Sequence, residues 1–228
     1  MSNNLMVLRE RDLIENPTTR LPVCLCLDSS YSMNGAPINE LNKGVQYFFD
    51  AIKTDEIARY SVELAVVSFN SEAETISDFS SVDRQTITLL EADGATSMGE
   101  GVELALDLLE QRKREFSNKG VDYYQPWLVL MSDGGPTDNI STAVRRVQEL
   151  SSKKKLTVFS VAIGDNADIT VLKQFSSMKN NLVLKVKSAE HFKEFFEWLS
   201  QSVSVASQSV PGDKPSLPPT PPVIEIEL

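Results

Sequence analysis

The sequence predicts a doubly wound α/β domain, with a mostly parallel sheet, one antiparallel edge strand and helices on both faces. Short apolar runs alternate with amphipathic stretches between residues 21 and 210, a pattern typical of β-α units joined by right-handed crossovers. Several runs are apolar throughout, as in strands that are buried on both faces. Two adjacent strand patterns are separated only by Ser71 and Glu72, so they are expected to form an antiparallel hairpin.

The first unit consists of a strand over 21–28, which ends at Asp28, and a helix that starts near Pro37. Five apolar residues share one face of this helix: Leu41, Val45, Phe48, Phe49 and Ile52. The hairpin strands follow. The later elements are a helix over 99–116, a strand over 126–133, a helix over 137–152, a strand over 156–164, a short helix over 168–176, a last strand over 181–187 and a helix over 188–203 that Ser188 starts.

Proline marks a tail. Six of the 11 prolines lie in the last 18 residues, so we expect an N-terminal extension over 1–19, a folded domain over 20–209 and a Pro-rich tail over 210–228. The tail ends in alternating apolar and acidic residues. It either adds a strand to a sheet edge, in this or another molecule, or extends into solvent. Thr220, between two proline pairs, is a candidate phosphorylation site.

The composition and net charge of the chain exclude some classes of binding partner. Hydrophobic residues make up 41% of the chain, enough for a sizeable core, and the net charge is −10. This charge repels phosphate backbones and anionic bilayers, so we expect neither nucleic acid nor membrane as a partner. No apolar run approaches the roughly 20 residues of a spanning helix, and charges interrupt the first 20 residues. We therefore expect a cytoplasmic protein.

The two cysteines, Cys24 and Cys26, lie in the first strand. A disulfide between residues two apart in a strand would be strained. The only histidine, His191, leaves too few ligands for zinc. We expect reduced thiols that pack as small apolar side chains.

Short oxygen-rich segments follow the strands, at the edge where ligands bind in doubly wound folds. They contain Asp28, Ser30, Ser32, Thr96 and Asp133. These hard oxygen donors favour magnesium or manganese over zinc or copper, and calcium is less suited. The alternative is that each residue caps a helix or shapes a turn, as such residues often do at strand ends.

Three segments, Asp28-Ser29-Ser30-Tyr31-Ser32-Met33, Gly94-Ala95-Thr96-Ser97 and Met131-Ser132-Asp133-Gly134, resemble the metal-ion-dependent adhesion site (MIDAS) of von Willebrand factor type A domains. The resemblance covers residues 20 to about 207. Leu130-Met131-Ser132-Asp133-Gly134-Gly135-Pro136-Thr137-Asp138 is similar to the bacterial TerY or YegL-like members, which are linked to tellurite resistance and stress.

The resemblance implies a Rossmann-like sheet of six strands with one antiparallel edge and a divalent cation at its top. It implies hydroxyl ligands from Ser30, Ser32 and Thr96, and carboxylates of Asp28 and Asp133 bound directly or through water. The implied activity is protein-protein interaction, in which a partner supplies an acidic residue to the metal. A Ser/Thr protein kinase and a metal-dependent phosphatase are the implied neighbours.

Two positions depart from the family pattern. Tyr31 stands where glycine is frequent, and Gly135 stands where TerY-like proteins often have glutamate. Tyr31 is expected to decorate the rim of the site, while Gly135 removes a negative charge beside it. Neither change removes a predicted ligand.

Enzymatic alternatives find less support in the sequence. The sequence lacks the G-x-S-x-G motif of many serine hydrolases, and His191 is the only histidine that could act as their base. It also contains no P-loop motif. A magnesium-dependent phosphohydrolase of the haloacid dehalogenase type would need aspartate where Ser30 stands. A response-regulator-like phosphoacceptor would need an acidic pair and a late lysine that are not evident. A phosphorylation substrate or scaffold that acts through its tail is the remaining non-enzymatic alternative.

Overall fold

The computed structural model describes residues 16–210 and 215–227, which include a single seven-stranded sheet. The strand order is β3-β2-β1-β4-β5-β6-β7. The strands are β1 (Leu21–Asp28), β2 (Val62–Phe69), β3 (Ala73–Ser81), β4 (Trp127–Ser132), β5 (Thr157–Ile163), β6 (Val183–Val186) and β7 (Ile224–Glu227). Strands β2, β1, β4, β5 and β6 are parallel, and β2 and β3 form the predicted antiparallel hairpin.

Helices cover both faces of this sheet, which confirms the predicted doubly wound α/β class. They are α1 (Ala36–Thr54), α2 (Ala58–Ser61), α3 (Met98–Lys119), α4 (Ser141–Ser152), α5 (Ile169–Phe175) and α6 (Phe192–Ser207). On one face, Phe48 of α1 and Phe196 of α6 pack in one core cluster. On the other face, residues of α3, α4 and α5 form a second cluster with alternate residues of β1 and β4. Both apolar layers exclude water from the central strands.

The position of β1 determines where the site lies. Strand β1 lies between β2 and β4, so the chain crosses to one side of β1 after α1 and to the other side after α3. Loops that follow β1 and β4 therefore diverge from a common point at the carboxyl edge of the sheet, where doubly wound folds hold their ligands.

The seventh strand corrects the six-stranded sheet that the resemblance implied. β7 pairs antiparallel with β6, with Val186 opposite Ile224, and Lys187 Nζ lies 2.6 Å from Glu225 Oε1. Ile224 is 4% exposed. An unpaired β6 edge would present free backbone groups, which β7 satisfies. Of the two alternatives for the tail, these residues therefore follow sheet addition, within the same molecule.

A proline-rich strap connects α6 to β7. Its described part is held to α6 by a hydrogen bond of 3.0 Å that Trp198 Nε1 donates to the carbonyl oxygen of Pro218. Thr220 lies between that contact and β7, and its phosphorylation stays a prediction. Most of the predicted N-terminal extension, together with residues 211–214 and 228, lies outside the described residues.

Two local expectations have different outcomes. Cys24 and Cys26 are free and fully buried, as predicted, and burial raises the pKa of both thiols. Ser188 does not cap α6, because a short 3-10 helix over Ala189–His191 intervenes and the Ser188 hydroxyl lies 3.3 Å from Nδ1 of His191. The helix expected over 137–152 begins only at Ser141, since the preceding residues belong to the site.

Candidate metal centre

The turn after β1 carries three of the predicted ligands. Asp28 is the last residue of β1 and is fully buried. Its Oδ1 accepts a hydrogen bond of 2.9 Å from the backbone N of Ser30, which closes the turn. A 3-10 helix over Tyr31–Met33 follows, in which Met33 is buried while Tyr31 and Ser32 are exposed. The apolar anchor at Met33 thus leaves Ser32 at the surface of the site.

A row of side-chain oxygens joins this turn to the loop after β4. Ser30 Oγ lies 3.0 Å from Ser32 Oγ, and Ser32 Oγ donates a hydrogen bond of 2.7 Å to Asp133 Oδ1. Behind the row, Ser132 Oγ donates to Asp28 Oδ2 at 2.5 Å. Four of the five predicted ligands therefore form one connected cluster.

Thr96, the fifth predicted ligand, lies in a loop that contacts both the turn after β1 and the loop after β4. The backbone N of Tyr31 donates to the carbonyl of Gly94 at 3.1 Å. On the other side, Thr96 N donates to Thr137 Oγ1 at 3.1 Å, and Thr137 N donates to the carbonyl of Thr96 at 2.9 Å. Thr96 is 7% exposed. These contacts place the Thr96 loop between the loops that follow β1 and β4.

Asp138 fixes the start of α3, directly after the Thr96 loop. Its carboxylate accepts hydrogen bonds from Gly99 N at 3.1 Å and from Glu100 N at 2.9 Å. Ser97, at the N-cap position, makes no such bond. A side chain at Gly99 would place Cβ 2.8 Å from the Asp138 carboxylate, so only glycine permits this approach. The β4 loop thus caps a helix that is distant in sequence.

Both carboxylates of the cluster are held in an environment that disfavours their charge. Burial raises the pKa of Asp28, against the lowering effect of hydrogen bonds from Ser132 and Ser30, and the nearby charge of Asp133 raises it further. Burial also raises the pKa of Asp133. Neither makes an ion pair with a basic side chain of residues 16–210 or 215–227. A cation bound at the cluster would supply the missing positive charge and favour the ionised form of both carboxylates.

These residues fit a hard divalent cation. Asp28, Ser30, Ser32, Thr96 and Asp133 would hold it, and the cation when bound supplies a positive charge for an external anionic ligand. Within the described residues no group of three or more His, Cys, Asp or Glu is suited to a metal. Any cation here therefore depends on hydroxyl oxygens as well as carboxylates, which agrees with a hard rather than a soft ion.

Comparison with known proteins assigns the family. The model of the von Willebrand factor type A domain matches residues 23–198, which include all five predicted ligands. The chain belongs to the von Willebrand factor type A domain family. Its mostly parallel sheet and surrounding helices agree with that fold.

Three proteins are similar to this chain at low identity. The uncharacterized protein sll0103 of Synechocystis sp. is 23% identical over 192 residues, 81% of this chain and 42% of that protein. A von Willebrand factor type A structure from Catenulispora acidiphila has a TM-score of 0.59 at 17% identity, covering 82% of this chain and 43% of that one. Proximal thread matrix protein 1 from the mussel byssus, with zinc in its MIDAS motif, has a TM-score of 0.56 at 19% identity, covering 82% and 48%.

This chain spans less than half the length of those three proteins. The solved structures are too distant in sequence to carry more than the fold to this von Willebrand factor type A domain. None of the helices in residues 16–210 and 215–227 is long and apolar enough to cross a membrane.

The two departures from the family pattern lie at the rim of the von Willebrand factor type A site. Tyr31 is 67% exposed, so its ring is available to a partner. A Cβ at Gly135 would lie 3.7 Å from Asp168 Oδ2. A glutamate at this position would start beside the Asp168 carboxylate, so glycine avoids a contact between like charges.

Sequence reasoning missed three residues that hold this site together. Ser132 binds Asp28, Thr137 binds the backbone of Thr96, and Asp138 caps α3. Only Asp138 carried a signal, because aspartate before a helix pattern indicates a cap, but that signal predicts a cap on α4 rather than α3. His191, the base considered for a hydrolase, lies next to the Ser188 hydroxyl.

Proposed function

We propose that this chain is a metal-ion-dependent protein-protein interaction module, in which a cation held by Asp28, Ser30, Ser32, Thr96 and Asp133 binds an acidic side chain of a partner protein. The observation that carries the proposal is the row of oxygens from Ser30 through Ser32 to Asp133, which bridges two loops. Such preorganisation reduces the ordering cost of binding.

Magnesium or manganese is the proposed cation. The donors are hydroxyl and carboxylate oxygens, which suit these ions, and calcium prefers more ligands than the site offers. The zinc in the MIDAS motif of the mussel protein supports a divalent ion at this position of the fold. Three of the five side chains carry no charge, so the bound cation keeps a strong attraction for a carboxylate.

The net charge of −10 opposes an acidic partner at long range. Screening limits this repulsion, because the Debye length is about 8 Å at physiological salt. A metal-carboxylate bond of about 2 Å is far shorter than that length. The local bond therefore dominates, and the net charge lowers the association rate more than the final affinity.

The wider setting is also a proposal. The segment 130–138 is similar to TerY or YegL-like proteins, which supports a role in bacterial stress or tellurite resistance. A Ser/Thr kinase and a metal-dependent phosphatase are the candidate partners. Reduced, buried Cys24 and Cys26 agree with a cytoplasmic location. We propose no catalytic activity. Generic phosphate esters with magnesium should give no turnover that depends on Asp28.

Co-purification from the native host tests the interaction. Partner recovery should be high in magnesium, and both EDTA and the Thr96→Ala substitution should reduce it by lowering the affinity for the partner at least about tenfold, or 1.4 kcal/mol. Thr88→Ala changes an exposed threonine of the same β3-α3 connection and should leave recovery unchanged. A partner whose recovery is indifferent to both EDTA and Thr96→Ala would refute the proposed mechanism.

A further inference from the structure

A cavity lies at the opposite end of the sheet from the candidate metal centre. Its volume is 820 Å³, and its walls include Leu21, Trp127 and Thr157, the first residues of β1, β4 and β5. The metal centre lies beyond the last residues of β1 and β4. Because β1 has eight residues and a strand rises about 3.3 Å per residue, the two ends are about 23 Å apart. One small ligand cannot contact both.

The charge of this cavity is opposite to that of the chain. Its described lining contains three lysines, Lys113, Lys154 and Lys155, and no aspartate or glutamate, whereas the whole chain has a net charge of −10. Lys113 is 2.6 Å from Glu110. Lys154 and Lys155 make no ion pair with any described residue. Two ammonium groups are therefore available to an anion.

Helix α4 is followed by three consecutive lysines that have different surroundings. Lys153 Nζ is 2.6 Å from Glu149 Oε1, and Lys153 does not line the cavity. Lys154 has a φ of 55°, a left-handed conformation that favours glycine or asparagine at a helix end. A cation that only complements the helix dipole is already provided by Lys153. Lys154 therefore keeps a positive charge at a position where backbone geometry prefers another residue.

The rest of the wall suits a planar, partly apolar group. The Tyr124 hydroxyl donates to the carbonyl oxygens of Ser207 and Ser209 at 3.0 and 2.9 Å, which fixes its ring. Tyr123 packs against Phe116 with 5.6 Å between ring centroids. The cavity thus combines aromatic surface with cations.

We propose that this cavity binds a nucleoside phosphate, with its phosphates held by Lys113, Lys154 and Lys155 and its base against Tyr123 and Tyr124. The volume lies within the range of about 300–1,000 Å³ that is usual for small-molecule sites. Lys154 and Lys155, which make no ion pair with a described residue, suit phosphate, and aromatic rings bind bases of any sequence by stacking. This site requires neither the cation nor the partner of the proposed function.

Calorimetry with the full chain in EDTA tests the proposal, because EDTA removes any contribution from the metal centre. ATP should bind at least about tenfold more tightly than adenosine or tripolyphosphate, a difference of about 1.4 kcal/mol per tenfold. Lys154→Ala combined with Lys155→Ala should weaken ATP at least tenfold. Lys153→Ala, a matched change in the same run of lysines, should leave ATP affinity unchanged.

Three outcomes would overturn the nucleotide site. The proposal would be refuted if ATP at ~1 mM did not bind the unmodified chain. It would also be refuted if Lys153→Ala weakened ATP binding as much as the double variant does. Tripolyphosphate that binds as well as ATP would show a site for simple anions instead. The variant Ser30→Ala with Ser32→Ala should retain ATP binding, so failure of the metal proposal and failure of this one are distinguishable.

Discussion

Ser32 Oγ donates a hydrogen bond of 2.7 Å to Asp133 Oδ1 across 101 residues of sequence. The two residues meet because β1 and β4 are neighbouring parallel strands in which Leu27 lies opposite Met131, so the loops that follow emerge side by side. The bond orients one neutral and one charged oxygen toward the same space. A cation that binds there need not assemble its ligands from separate loops.

Metal-linked stability is the first prediction. Magnesium or manganese at ~100 times the dissociation constant should raise the free energy of unfolding by about 2.7 kcal/mol, because only the folded chain presents the ligands. Ser30→Ala with Ser32→Ala should abolish the rise. Thermal melts with and without EDTA measure the effect.

Ser29→Ala is the control for that experiment. Ser29 lies in the same turn, but its hydroxyl is 2.6 Å from Ser68 Oγ instead of joining the oxygen row. This variant should melt at a lower temperature and still gain the full metal response. If Ser30→Ala with Ser32→Ala kept that response, the assigned ligands would be wrong.

Loss of the Asp138 carboxylate should weaken both α3 and the metal centre. Asp138→Ala removes two hydrogen bonds at the start of α3, at a cost of about 1 kcal/mol in the free energy of unfolding. Because the Thr96 loop leads directly into α3, metal affinity should also fall, as measured by titration. Asn139→Ala removes the bond to Ser141 N and should lower stability without changing metal affinity. Equal metal affinity in both variants would contradict this role of Asp138.

The buried ionic cluster of Glu63, Arg112 and Arg20 should be essential for the stability of the domain. Glu63 is 4% exposed and accepts hydrogen bonds from Arg112 Nε at 2.6 Å and Nη2 at 2.9 Å, with Arg20 Nε at 3.3 Å. Glu63→Gln leaves guanidinium charge buried without its carboxylate and should cost about 3–5 kcal/mol in denaturant unfolding. Glu115→Gln removes a partner of Arg112 that is more exposed and should cost less than about 1 kcal/mol. Similar losses in the two variants would show that burial of Glu63 is not the cause.

Strand β7 should contribute to the stability of the domain. Ile224 is buried at 4% exposure, whereas Ile226 on the same strand is 46% exposed. Ile224→Ala should cost about 2 kcal/mol, the lower end for a buried isoleucine, because β7 lies at an edge. Ile226→Ala should stay within about 0.5 kcal/mol. Removal of residues after Val210 should lower the melting temperature, and an unchanged value would mean that β7 adds nothing in solution.

Patterns within short stretches predicted much of the candidate site. Asp28 ends an otherwise apolar strand and Ser30 and Ser32 follow it, and this local signal identified the turn without tertiary information. The roles of Thr137 and Asp138 in the site could not be predicted from local patterns. Both precede α4 in sequence but bind the Thr96 loop and α3, and no local pattern distinguishes a cap on the next helix from a cap on a distant one.

The sequence by itself determined the α/β class, the hairpin of β2 and β3, and the oxygen-rich strand ends, because periodicity and residue chemistry are local properties. Tertiary structure alone decided that β7 completes the β6 edge and that the cavity at the amino ends gathers Lys113, Lys154 and Lys155. Both depend on which segments meet after the chain folds. The alternating residues before the end of the chain suit any open edge, and only the position of β6 beside that segment selects one.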